Sequence, residues 1–211
     1  MKKMMALLMA LCLMVMGVPA MAEDAAQTQL YTNTEMGFSI VVPAQWLVVD
    51  KDNIDTYIAA YENGEMTFTG TNADVLNELK PQFAGANMAV AISPYANNLV
   101  LSVADMGIEL TEELFVSLMI PQFKQQIVLQ MPTIEFTQEG EPLTLGENEF
   151  ISLSGVCDLN GLSASVDQLF LLKGTKVYVA NLTTVDLLGE EILNAFYTDV
   201  LAAMATFAVA E

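Results

Sequence analysis

The stretch Asp50-Lys51-Asp52-Asn53-Ile54-Asp55 spaces carboxylates and an amide as a calcium loop would, supplying hard oxygen ligands at alternate positions. The sixth place, where such a loop turns on glycine, is Asp55, and the twelfth, where a glutamate should close it, is Tyr61. Acids at the positive end of a helix explain the run better. Carboxylate pairs occur at Glu112 with Glu113, Glu147 with Glu149, and Glu190 with Glu191. Glycoside hydrolysis needs two carboxylates facing each other across a groove, which neighbours at helix starts or in turns do not provide. Cys157 could serve as a nucleophile only beside a histidine or in a cationic surround. Asn181-Leu182-Thr183 matches an N-glycosylation acceptor, but it falls in an expected strand.

The wider composition removes most remaining chemistry. The chain contains neither histidine nor arginine, so histidine bases, histidine metal ligands and guanidinium clamps on phosphate are excluded. Glycine-rich phosphate loops and paired zinc-ligand cysteines are also missing. No catalytic, cofactor-binding or metal-binding residue is therefore assigned, no cofactor is expected, and the chain is not expected to be an enzyme.

Lys2 and Lys3, the apolar run Met4 to Val18, and Pro19 followed by Ala20-Met21-Ala22 form the three parts of an export signal, with cleavage expected before Glu23. The apolar run, about 15 residues, falls short of the roughly 20 that a spanning helix needs. Cys12 lies within the run and follows Leu11, which does not suit a lipid attachment site. Residues 1–22 are thus read as a signal peptide, 23–30 as a flexible leader and 31–211 as one domain. After residue 22 the chain carries five lysines against 26 acids, a formal charge of −21. That charge argues against nucleic acid and anionic membrane as partners. The expected location is secreted or extracytoplasmic, where disulfides are permitted, yet Cys157 would have no intramolecular partner.

The elements that would position these residues follow from periodicity. Phe38, Ile40 and Val42 alternate as a strand, Pro43 breaks it, and Trp46 to Val49 resume it. Ile54, Tyr57, Ile58 and Tyr61 predict a helix over 52–63, with Asp50 or Asp52 as cap, although Asn63-Gly64 also suits a hairpin turn. Thr71 to Asp74 look like a capping box for a short helix bounded by Pro81. A hairpin follows, with Met88, Val90 and Ile92 on one strand and Leu99, Leu101 and Val103 on the other.

Thr111 then opens a long helix with the stripe Leu114, Phe115, Leu118, Met119, Gln122, Phe123 and Ile127, and Pro121 should kink it. Strands are expected near 133–138, 142–145, 148–157, 162–172 and 176–183, with turns at Gly140-Glu141, Gly146-Glu147, Asn160-Gly161 and Gly174-Thr175. Ile151, Leu153, Gly155 and Cys157 share the apolar face of one of them, so Cys157 should be buried and inert toward thiol reagents until the protein unfolds. A last helix over 189–208 would dock Ile192, Leu193, Phe196, Val200, Leu201, Met204 and Phe207 on the sheet. The fold class is α+β: an α/β/α sandwich with a central antiparallel sheet covered by helices.

Tyr31, Asn33, Gly37-Phe38-Ser39-Ile40, Pro43 and Trp46, in this spacing, resemble the opening of the superfamily of the photosystem II extrinsic protein PsbP and the Ran-binding Mog protein. The ending is similar too, with Gly174 to Val179 leading into a strand and then a helix carrying Phe196, Val200, Leu201 and Phe207. The resemblance implies the same sandwich, in which Gly37 permits a turn, Pro43 ends an edge, and Phe38 and Trp46 fill the core. Members of that superfamily bind proteins, metal-cluster assemblies or hydrophobic segments, but none of their functional residues matches a position here. The reading that results is an exported noncatalytic binding module whose partner is a protein, with an envelope chaperone for apolar segments as the alternative.

Overall fold

A computed structural model of the chain describes residues 27–68, 70–83, 87–95, 97–159, 161–185 and 189–210. The signal segment 1–22 and its cleavage position lie outside these residues. Four helices and ten strands are described: β1 Thr28–Asn33, β2 Phe38–Pro43, β3 Leu47–Asp50, α1 Ile54–Glu62, α2 Ala73–Phe83, β4 Met88–Ile92 and β5 Asn98–Asp105 come first. They are followed by α3 Glu112–Gln130, β6 Glu135–Leu145, β7 Asn148–Leu159, β8 Leu162–Lys173, β9 Lys176–Val185, α4 Glu190–Met204 and β10 Ala208–Val209.

Seven strands pair antiparallel in the order β3-β4-β5-β9-β8-β7-β6. Side chains alternate across this sheet and divide the core. Leu99, Leu101, Leu169, Leu171, Tyr178 and Leu182 face α4 and a small second sheet, β1-β2-β10. On the other face, Val90, Ile92 and Val100 pack with α1 and α2, while Ile151, Leu153, Val166, Phe170 and Val179 pack with α3. The layers are those of an α/β/α sandwich, with the small sheet sharing one outer layer with α4.

The expected alternation holds in β2, where Phe38, Ile40 and Val42 are buried and the residues between them are half-buried. Trp46 stacks on Phe196 with ring centres 5.4 Å apart, and Phe38 stacks on Phe207 at 5.0 Å. The turn at Gly37 closes through its N–H, which donates to the Asn33 carbonyl at 2.9 Å. Thr111 caps α3 as read, its hydroxyl oxygen accepting from the Leu114 N–H at 3.3 Å.

Several expectations are corrected. Thr28 to Leu30, placed in the leader, belong to β1 because they pair with Val41, Val42 and Pro43 of β2. The segment before α1 is a helix entry and Asn63-Gly64 follows that helix, so the hairpin alternative falls. Asn72, rather than Thr71, caps α2 by accepting from the Val75 N–H at 3.0 Å, and the helix continues through Pro81 to Phe83. Gly140-Glu141 is no turn: the two strands expected there are one, β6, with register shifts around Thr137 and Gly140, because β7 is long enough to template both halves. The last helix stops at Met204. Thr206 turns the chain by donating to the Ala203 carbonyl at 2.7 Å and accepting from the Val41 N–H at 2.8 Å, after which Ala208 and Val209 join β2.

Candidate functional site

The residues singled out for chemistry are separated by the fold. The calcium-like run is committed to local structure. Asp50 is buried; its Oδ2 accepts from the Tyr31 hydroxyl at 2.6 Å, and its Oδ1 accepts from the Asp52 and Asn53 N–H groups at 2.9 and 3.1 Å. Asn53 locks the same turn, accepting from the Asp50 N–H and donating to the Val48 carbonyl. Burial, and then the bond to Asp50, hold the Tyr31 phenol far above its ordinary range.

Glu112 with Glu113 and Glu190 with Glu191 occupy the first turns of α3 and α4, while Glu147 lies in the β6–β7 turn and Glu149 at the start of β7. All six are exposed. Among the described residues, no group of three or more histidine, cysteine, aspartate or glutamate side chains is arranged to hold a metal.

Cys157 is buried under the end of α3, its thiol within 3.8 Å of the Met131 sulfur. Burial first, then the charge of Asp158, push the thiol pKa up, which withholds the thiolate. Asn181 is buried in β9, and its Oδ1 accepts from the Gln168 Nε2 at 3.2 Å, so it is a cross-strand amide within the core.

One polar cluster was not visible in the sequence. On the α4 side of the sheet, the Tyr197 hydroxyl donates to Asp167 Oδ2 at 2.7 Å and lies beside the Ser165 and Thr184 hydroxyls, which are 2.8 Å from each other. Burial, followed by the nearby Asp167 charge, pushes the Tyr197 phenol up to about 12. A phenol held neutral is a poor base, and the cluster fastens α4 to β8 and β9. The only local sign of it is the alternation Ser165-x-Asp167 on a strand face that is otherwise apolar.

Among the described residues, a groove of about 700 Å³ lies between α3 and the edge strand β6. Val116, Ile120, Pro121, Val128 and Leu129 supply its apolar wall, with Lys124, Gln125 and Glu139 as its polar members. Lys124 Nζ sits 2.6 Å from Glu139 and 4.8 Å from the centre of the Phe136 ring, which ties helix to strand across the groove floor. Gly140 allows the approach, since a Cβ there would lie 3.0 Å from Val116 Cγ1.

The sheet-facing side of α3 is filled. Phe115, Phe123 and Ile127 are buried, as is Ile120 at the base of the groove, and Phe170 meets Phe115 and Phe123 at ring-centre distances of 5.1 and 4.7 Å. The expected stripe is corrected here, because Leu114 and Leu118 point outward and Ile120 points inward. Leu118 is 54% exposed and Leu129 76%. Leu114 and Leu118 near the start of α3, and Val128 and Leu129 at the groove, make a broken apolar ridge on its outer side, with the exposed Gln122 and Gln125 between the two pairs. Apolar residues recur around the whole circumference of α3, which is the one signal in the sequence that more apolar surface exists than a single face can bury.

No family model and no curated protein matches the chain. Among solved structures it is similar to the solution structure of cyanobacterial PsbP from Synechocystis sp. PCC 6803, at 13% identity over 90% of this chain and 98% of that one, with a TM-score of 0.49. It is also similar to LpqN of Mycobacterium tuberculosis, described as involved in cell envelope biogenesis, at 13% identity over 93% and 91% of the two chains, TM-score 0.44. A Bacteroides thetaiotaomicron VPI-5482 protein matches at 9% identity over 83% of this chain, TM-score 0.43, and there the chain spans 46% of the other's length. A PsbP, of the superfamily that the Tyr31 to Trp46 pattern resembles, is thus among the structural neighbours.

Proposed function

We propose that the protein is an extracytoplasmic, noncatalytic binding module that holds a protein partner in the α3–β6 groove. The observation that carries this reading is the open apolar ridge of Leu114, Leu118, Val128 and Leu129 beside a groove whose polar pair, Lys124 and Glu139, is already mutually satisfied. A surface of this kind gains from being covered, because fully burying an exposed leucine contributes about 1.5–3 kcal/mol and covering the half-exposed Leu118 roughly half of that. It offers no activated nucleophile or free base. The location rests on the signal pattern of residues 1–22, and among the described residues no helix is long and apolar enough to cross a membrane.

The same ridge supports a second reading, a chaperone that shelters apolar segments of other exported proteins. One experiment separates the two. Native protein and a Leu118→Gln, Leu129→Gln variant are used to capture partners from the cell surface and medium, and the yield is read by mass spectrometry. A single stoichiometric partner that the variant loses supports the dedicated module, and many clients lost together support the chaperone. Capture that the variant leaves unchanged overturns both as functions of this groove.

A further inference from the structure

The identity of the occupant can be narrowed, and this step rests on the binding reading above. Two modes of protein recognition are open to a groove between a helix and an edge strand: an extended segment adding to the strand, or a helix lying along the helix. Strand addition is obstructed. β6 carries register shifts around Thr137 and Gly140, Pro142 brings no N–H to its edge, and Glu135, Glu139 and Glu141 stud it with like charges. Bulges, proline and charge are the means by which edge strands resist further pairing.

The helix side is open instead. Leu114, Leu118 and Leu129 follow one another at intervals of four and eleven residues, near whole turns of an α-helix, so they mark one side of α3 over about 22 Å, with Gln122 and Gln125 exposed between Leu118 and Leu129. A ridge of that length matches about four turns of a partner helix packed by side-chain interdigitation.

Charge selects among helices. From residue 106 to residue 145 the chain carries six glutamates, Glu109, Glu112, Glu113, Glu135, Glu139 and Glu141, against one lysine, Lys124, whose charge is held by Glu139. All six glutamates are exposed. A second copy of this chain would bring the same acids to the interface and be repelled, as would an acidic helix. We infer that the groove receives an amphipathic helix with an apolar face flanked by lysine or arginine. The leucine ridge would bind its apolar face, and Glu112 and Glu113 at the start of α3, with Glu135 and Glu141 of β6, would meet its cations.

The test uses the intact purified protein, labelled with ¹⁵N, and two synthetic amphipathic peptides of 18 residues. Both carry one leucine face; one is flanked by lysine and the other by glutamate. The lysine peptide should bind at least tenfold more tightly, with shifts centred on Leu114, Leu118, Val128, Leu129 and Glu139. Leu118→Glu is the decisive variant, because it adds a negative charge that would tighten a purely electrostatic complex but should weaken one seated on the ridge at least tenfold. Retention of the fold in that variant is checked from the unperturbed spectrum of β3, β4 and β5.

Tighter binding by Leu118→Glu, equal binding of both peptides, or shifts along the outer edge of β6 would each overturn the inference. So would saturation of the ridge by phosphatidylcholine vesicles with no response to peptide. If neither peptide binds while partner capture still depends on Leu118 and Leu129, the cationic helix is rejected and the binding module stands. If capture is also insensitive to those leucines, both readings fall.

Discussion

Helices α3 and α4 lie on opposite faces of the same seven-stranded sheet, and both are rich in apolar residues, but only one of them uses nearly all of what it has. α4 is enclosed on two sides, with Phe196 stacked on Trp46 and Val200, Ala203 and Met204 buried in the cluster that includes the small sheet. Leu201 is the one large apolar side chain of α4 that is strongly exposed. Among the described residues, no second layer lies above α3. Its inner face packs on Phe170, and Leu114, Leu118, Val128 and Leu129 remain in solvent. The fold uses the inner face of α3 and the large apolar residues of α4 apart from Leu201, which leaves the outer face of α3 available to something else.

The largest effect should come from breaking the inner contact of α3. Phe170 is fully buried between Phe115 and Phe123, and Phe170→Ala should cost about 3–5 kcal/mol in urea unfolding through lost transfer energy and the cavity left behind. A loss under about 1.5 kcal/mol would mean that α3 is held by something other than this aromatic cluster.

The attachment of α4 can be tested at its C-terminal end. Gly146 has φ +60°, and a Cβ there would lie 2.0 Å from the Ala205 carbonyl oxygen, so the backbone that ends α4 would have to move. Beside it, Asn148 Nδ2 donates to the Phe207 carbonyl at 2.6 Å. Gly146→Ala should cost about 1–3 kcal/mol from the left-handed backbone alone, and more from the clash, as a lowered thermal midpoint. Because Gly146 is remote from the groove residues in the pairing scheme, peptide binding at α3 should survive in the fraction that folds.

Particular residues show what was legible in advance. Phe38, Ile40 and Val42 declared their strand because period two admits only one apolar face, and Thr111 declared its helix because a cap acts within three residues. Gly140 was misread, since glycine permits a bulge as readily as a turn and only the length of β7 decides between them. The end of α4 was misread for a related reason: Phe207 continues the apolar period, and only the pairing of Ala208 and Val209 with β2 withdraws it from the helix. The groove was not legible. The apolar residues of α3 read as one buried stripe, because which leucines face outward depends on where Phe170 sits in the sheet, and that is a long-range fact. The Tyr197 cluster joins residues 30 positions apart and had no local signature beyond Ser165 and Asp167.

A smaller effect contrasts two aspartates. Partial burial in α4 raises the Asp199 carboxyl above its ordinary value. A folded-state acid pKa above the unfolded value, about 3.9, means that the native state holds the proton more tightly, so stability falls as pH rises through the interval between them. Asp199→Asn should therefore stabilise the protein at pH 7, with the gain shrinking to nothing below about pH 3.5. Asp105 runs the other way: its carboxylate accepts from the Gly107 N–H at 2.9 Å, which lowers its pKa, as does the Thr175 hydroxyl. Its contribution is present above the unfolded pKa and is lost as pH falls through the folded one. Thermal midpoints from pH 3 to pH 7 for Asp199→Asn and Asp105→Asn should diverge with opposite sign, and parallel curves would mean that neither carboxyl is shifted.

The smallest expected effect bears most directly on the two helices. Leu118→Gln replaces a half-exposed leucine by a residue of nearly equal helix propensity, so backbone preference contributes almost nothing to the difference. The side chain is outside the buried α3 cluster, and no cavity forms when it is shortened or made polar. Stability should change by no more than about 0.5 kcal/mol, the range of ordinary surface substitutions. Leu153, the same residue type fully buried beneath α3, supplies the reference: Leu153→Ala should cost about 2–5 kcal/mol in the same urea titration. The pair therefore measures whether the outer face of α3 belongs to the fold or only rides on it. A near-zero result for Leu118→Gln, combined with loss of partner capture, assigns the ridge to binding. A cost above about 1.5 kcal/mol would return Leu118 to the structural core, and the contrast between the outer face of α3 and the enclosed α4 would no longer hold.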